Sequence, residues 1–167
     1  MGNGRRWIRK LFDGATVAAI ISYLPIGVIS SRIGRKKTIL LGLVCMLISY
    51  TSVFFYPTYH VSANFFFALI GMGWAAVGVN SLPMVVEMSK GSDIGKYTGL
   101  YYTFSMTAQI FTPIISGMLL QYVSYNTLFP YAMFFTAMAI FTMSRVKHGD
   151  SKPPRKDKMI ENFDVED

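Results

Sequence analysis

The chain has 167 residues, 52% of them hydrophobic and 15% charged, with 16 Lys and Arg against 9 Asp and Glu. Soluble domains carry about 25% charged residues, yet between Gly14 and Ser144 only Arg32, Arg35, Lys36, Lys37, Glu87, Lys90, Asp93 and Lys96 are charged. The long charge-free tracts exclude a soluble domain, and the net charge of +7 reads as membrane topology and attraction to anionic lipid, with no nucleic-acid partner.

Residues 1–13 form a polar N-terminal start containing Arg5, Arg6, Arg9 and Lys10, with Trp7 suited to an interface. The first span covers about Gly14 to Ser31 and contains Pro25, which removes a helical hydrogen bond and should break the span there. About 20 apolar residues cross the roughly 30 Å hydrocarbon core. Arg32 to Lys37 then packs four cations and no anion between two such spans, and such a loop stays cytoplasmic. Inside it Gly34 suits a sharp helix exit. Gly27, one span end earlier, would let a neighbouring helix approach closely.

The second span runs from about Thr38 to Tyr56 and ends in the uncharged turn Tyr56-Pro-Thr-Tyr-His60, expected outside. His60 reads as an interfacial histidine, with no second His, Cys or acid beside it. Cys45 reads as a small buried apolar group. The third span, about Asn64 to Val86, is rich in small residues (Gly71, Gly73, Ala75, Ala76, Gly78) and should pack closely. Glu87 to Lys96 forms a second cytoplasmic loop. The fourth span covers about Tyr97 to Tyr122, the turn Ser124–Thr127 returns from outside, and the fifth covers about Leu128 to Ser144. The tail, residues 145–167, holds six cations, six acids and Pro153-Pro154. It has too little apolar surface to fold and is expected to be a disordered cytoplasmic tail. The expectation is all-α: a polytopic bundle of about five transmembrane helices over residues 14–144.

Catalytic chemistry has no support: no paired carboxylates at membrane depth, no metal-ligand spacing, and no loop context for a cofactor. Transport does. On the fourth span Tyr101, Ser105, Gln109, Thr112 and Ser116 recur at helical spacing and fall on one stripe. Polar groups facing lipid are costly, so the stripe should face protein or a water-filled path. Two readings stand for Gln109, path lining or a hydrogen bond between helices; Ser116 reads as the latter. On the third span Gly73, Ala76, Asn80, Pro83 and Glu87 share a face, and Asn80 is the other amide placed to touch substrate or to tie two helices. Trp74 could stack on a sugar ring, or pack, or face lipid.

Gly27, Arg32, Gly34, Arg35 and Lys36 match a known pattern: a glycine, three residues, an acid, then Arg-x-Gly-Arg-Lys. It resembles the loop signature of the major facilitator superfamily, which lies between the second and third helices of each six-helix half; Ser31 stands where the family has its acid. A further likeness runs through Asn80–Glu87, Gly95–Ser105 and Leu128–Tyr131. These stretches are similar to the C-terminal half of the glycoside–pentoside–hexuronide and sucrose-type branch, cation-coupled sugar symporters.

The resemblance implies a partial major facilitator fold, with one helix missing upstream and the last five of twelve present. An odd span count with a misplaced basic start agrees with that. It implies a secondary transporter in the plasma membrane, moving a sugar-like solute with proton or sodium coupling, and needing the other half or another copy as partner. Glu87 and Lys96 resemble the acid and base that pair with the signature loop at the cytoplasmic gate; a solvated surface pair is the alternative. Other solutes (drugs, organic acids) fit the same fold, and a small membrane protein acting by helix association fits the composition.

Overall fold

The computed structural model describes residues 2–55, 62–89 and 93–147, with the side chains of residues 2–15, 18 and 62 excepted. The described chain forms five helices: α1 (Gly2–Ile33), α2 (Arg35–Phe55), α3 (Ser62–Met88), α4 (Ile94–Tyr122) and α5 (Leu128–Arg145). A 3-10 turn, Tyr125–Thr127, leads into α5. The helices α2, α3 and α4, and α5 with its leading turn, are long and apolar enough to cross a membrane. The described apolar part of α1 is shorter, Ala19–Ile33. The turn at 56–61 and the tail from 148 lie outside the described residues.

Two local expectations are corrected. Pro25 does not break the first span, because α1 continues through it; α3 and α4 likewise continue through Pro83 and Pro113. Loss of one hydrogen bond is tolerated in a membrane helix when neighbouring turns adjust. Gly27 also makes no close approach, since a Cβ there would meet only Val79 Cγ1, at 4.0 Å.

The close approach lies elsewhere, between α2 and α3. A Cβ on Gly42 would fall 2.7 Å from Ala76 Cβ and 3.1 Å from the Gly73 carbonyl oxygen. One on Gly73 would overlap Met46 and lie 2.7 Å from the Gly42 carbonyl oxygen. Missing side chains let the two backbones meet, which dispersion forces reward where lipid offers no hydrophobic drive. Around this crossing Ala75, Ala76, Leu43, Met46, Ile70 and Met84 are buried, so the small-residue face of the third span packs as expected.

The central helix is α3, held between α1 on one side and α2 on the other, with α5 against α2. Three buried hydroxyls are satisfied within their own helices. Thr38 Oγ1 donates to Gly34 O at 2.9 Å, Ser49 Oγ to Cys45 O at 2.8 Å, and Thr136 Oγ1 to Ala132 O at 2.7 Å. Each bonds the carbonyl four residues back, the way a polar side chain is satisfied inside a bilayer.

By contrast α4 lies at the margin of the bundle and contains no buried residue. Its 29 residues would span about 43 Å at helical rise.

Sidedness follows from the cation loops and is directly measurable. With Cys45 replaced by Ala, Lys37→Cys should react with a membrane-impermeant maleimide only from the cytoplasm. Asn126→Cys, in the exposed turn before α5, should react only from outside; equal reaction of both from outside would overturn this topology.

Candidate functional site

Between α1 and α2 the chain turns on one residue, Gly34, which is buried and has φ 106°. That backbone region is costly for any side chain with a Cβ. The Gly34 N–H donates to Ser30 O at 2.9 Å and the Thr38 N–H to Gly34 O at 3.2 Å, so the break costs few hydrogen bonds. Ser31, in the acid's place, donates to Val28 O at 2.7 Å and stays within its own helix.

This turn delivers the basic run to the ends of two other helices. Arg35 Nη2 lies 2.8 Å from Glu87 Oε1, with the two side chains 30% and 22% exposed. The signature-loop cation and the acid at the end of α3 are thus brought together. Lys36 Nζ donates to Ser144 O at 3.0 Å and to Val146 O at 2.5 Å. It satisfies carbonyls that the end of α5 leaves open and sits at the negative pole of that helix. Arg145 places its guanidinium carbon 4.7 Å from the Phe141 ring centroid. Arg32, exposed in the last turn of α1, and Lys96, exposed in the first turn of α4, make no ion pair among the described residues. The sequence pattern contained no sign of the Lys36 contact, because its acceptors are backbone carbonyls.

The proposed path residues fall in two environments. Asn80 is 1% exposed, inside α3, with its Nδ2 donating to Ala76 O at 2.8 Å. Gln109 and Thr112 are exposed on α4, and Tyr101, Ser105 and Ser116 are half-buried there. Gln109 Nε2 donates to Ser105 Oγ at 3.4 Å, a long bond that links two members of the stripe. Ser116 Oγ donates to Pro113 O at 3.2 Å. Tyr101 and Ser105 also line an open cleft of about 510 Å³ with Val85, Met88, Tyr97 and Phe104. The stripe is therefore open to the outside of the bundle, and Asn80 is held within it.

A larger cleft, about 820 Å³, opens toward the other ends of α1, α2 and α3 and the start of α5. Tyr23, Tyr50, Phe67, Trp74 and Phe129 are among its walls. Of these only Trp74 stood out in the sequence; the rest are apolar-run aromatics that become a site only when four helices bring them together. Among the described residues no group of His, Cys, Asp and Glu could hold a metal.

Neither the curated proteins nor the solved structures contain a match to the chain. A family model does match, over residues 11–163, which is nearly the whole sequence and takes in α2 to α5 and all of α1 from residue 11 on. The basic turn at Gly34, the Arg35–Glu87 pair and the membrane-length helices are therefore those of a multi-pass integral membrane protein, and the chain belongs to the Major Facilitator Superfamily, transporters of small solutes across lipid bilayers.

Proposed function

We propose that the chain forms one wall of a cation-coupled sugar or glycoside carrier of the plasma membrane, working by alternating access. The observation that carries this reading is α4: a membrane-length helix with no buried residue, presenting Tyr101, Ser105, Gln109 and Thr112 on one side. Hydroxyls and an amide at membrane depth need water, solute or another polar surface beside them. A second helical bundle facing α4, from further polypeptide or another copy, would enclose such a path. Hydroxyl-rich solutes suit this donor and acceptor set, and Trp74 and Tyr23 in the larger cleft offer ring faces for stacking.

Coupling requires a titratable or cation-binding group in the path. Asp13 of α1 precedes that helix's apolar part, Ala19–Ile33, and the described apolar spans contain no acid away from their ends, so the facing bundle would supply it. At the cytoplasmic side Arg35–Glu87 ties α2 to α3 and Lys36 ties α2 to α5. These ties let the three helices move together as one body while α4 borders the path.

Counterflow in proteoliposomes containing the assembled carrier tests the reading, with imposed proton or sodium gradients and a panel of sugars, organic acids and cationic drugs. Sugars should exchange with labelled substrate; exchange with drugs or organic acids alone would assign another solute class. In the same assay Gln109→Ala should lower uptake about tenfold beyond any fall in abundance, the size of one lost solute hydrogen bond with its partner unpaired. Uptake falling only with abundance would make Gln109 a tie between helices.

A further inference from the structure

A third, smaller cleft of about 360 Å³ lies at the cytoplasmic ends of α2, α3, α4 and α5. Ile39, Leu43, Val77, Met84, Met88 and Met143 form its main walls. Its three polar members are a poor match for a hydrophilic solute. Ser81 Oγ already donates to Val77 O at 2.6 Å, and Thr142 Oγ1 to the carbonyls of Met138 and Ala139 at 3.0 Å. Only the Tyr101 hydroxyl remains at the edge, beside the loosely packed α4. Methionine walls adapt to flexible chains because the thioether stem is unbranched and polarizable. A flexible apolar chain fits this cleft.

The end of the cleft is cationic. Val146, which lines it, is also an acceptor for Lys36 Nζ. That bond brings the N-terminus of α2, with Lys36 and Lys37, to the last turn of α5, with Arg145. Lys37 and Arg145 are exposed, and neither makes an ion pair among the described residues. Glu87, the acid at this end, is already paired with Arg35. The slot ends beside helix termini that carry exposed cations, Lys37 and, resting over the Phe141 ring, Arg145, and an apolar slot next to such cations has the two-part chemistry of an anionic lipid.

We propose that this cleft seats an acyl chain of an anionic phospholipid from the cytoplasmic leaflet, with the phosphate held at Lys37 and Arg145. The lipid would fill the gap between α4 and the α2–α5 pair, where the chain's own side chains leave space. This site meets the α4 stripe only at Tyr101, on its edge, and does not depend on which solute is carried.

Native mass spectrometry of the full chain, released from detergent, tests it with phosphatidylglycerol and phosphatidylcholine of identical acyl chains. Phosphatidylglycerol should be retained at about tenfold lower concentration than phosphatidylcholine. Lys37→Gln with Arg145→Gln should reduce it to the phosphatidylcholine level. Ala139→Phe, which fills the cleft and leaves every cation in place, should abolish the retained lipid. Equal retention of both lipids by the wild-type chain would overturn the proposal. Undiminished phosphatidylglycerol retention by a folded Ala139→Phe chain would also overturn it, leaving only general surface attraction. As a check free of folding defects, phosphatidylglycerol carrying a photoreactive acyl chain should label Met84, Met88 or Met143 in the wild-type chain. Labelling confined to other helices would refute the assignment.

Discussion

Gly73→Leu should remove most of the folded chain from the membrane. A Cβ at this position already overlaps Met46 and meets the Gly42 carbonyl oxygen at 2.7 Å. The first obstacle is a flexible side chain, but the second is backbone and cannot turn aside. The three further carbons of leucine would force α2 and α3 apart along the crossing that buries Ala75, Ala76 and Met46. Overpacking a close-packed site costs about 1–3 kcal/mol, sometimes more, against a total stability of about 5–15 kcal/mol. Separating two backbones should place this substitution at the upper end. Membrane abundance and the monodisperse peak in size-exclusion chromatography should both fall several-fold. Gly99→Leu is the control: no atom lies within 4 Å of a Cβ there, so both readouts should stay close to wild type. Equal behaviour of the two variants would mean that the α2–α3 crossing does not hold the bundle together.

Glu87→Arg should be the most damaging single change at the Gly34 end of the bundle. It would set two guanidinium groups against each other where Arg35 and Glu87 now lie 2.8 Å apart. Exposed ion pairs contribute about 0.2–1 kcal/mol, while removing one partner of a buried pair costs about 3–5 kcal/mol. With side chains 30% and 22% exposed, the pair stands between these limits, at about 1–2 kcal/mol by the same measures. Thermal stability of the purified chain should fall, and Arg35→Glu should fall with it. The double reversal, Arg35→Glu with Glu87→Arg, should recover much of the loss, because opposite charges again face each other. The recovery should stay incomplete, since an acid at position 35 also attracts Lys36, which now holds the end of α5. A double variant no better than the worse single variant would show that the pair contributes nothing specific.

The sequence alone determined the helical bundle, the membrane and nearly every helix boundary. The expected spans and the observed helices differ by a few residues at most of their ends, α1 excepted, where the helix begins at Gly2. The reason is that a bilayer acts on each segment by itself: its thickness sets the length and its low polarity demands an unbroken hydrogen-bonded helix. The turn at Gly34 was legible for the same reason, since a positive φ is a property of one residue.

What the tertiary structure decided were the partners. Gly42 is an ordinary glycine in the sequence and Gly73 one of several small residues on the third span, and the two become a contact only when α2 crosses α3. Gly27, singled out by its motif, has only an ordinary contact with the Val79 side chain. Lys36 is one of three adjacent cations, and only the position of α5 selects it for the Ser144 and Val146 carbonyls. Asn80 and Gln109 looked alike as amides at membrane depth, yet α1 and α2 enclose the helix carrying Asn80, whereas α4 leaves Gln109 uncovered. A residue's side of a helix can be read from spacing, but what stands opposite that side depends on how separate helices meet, and no single segment contains that information.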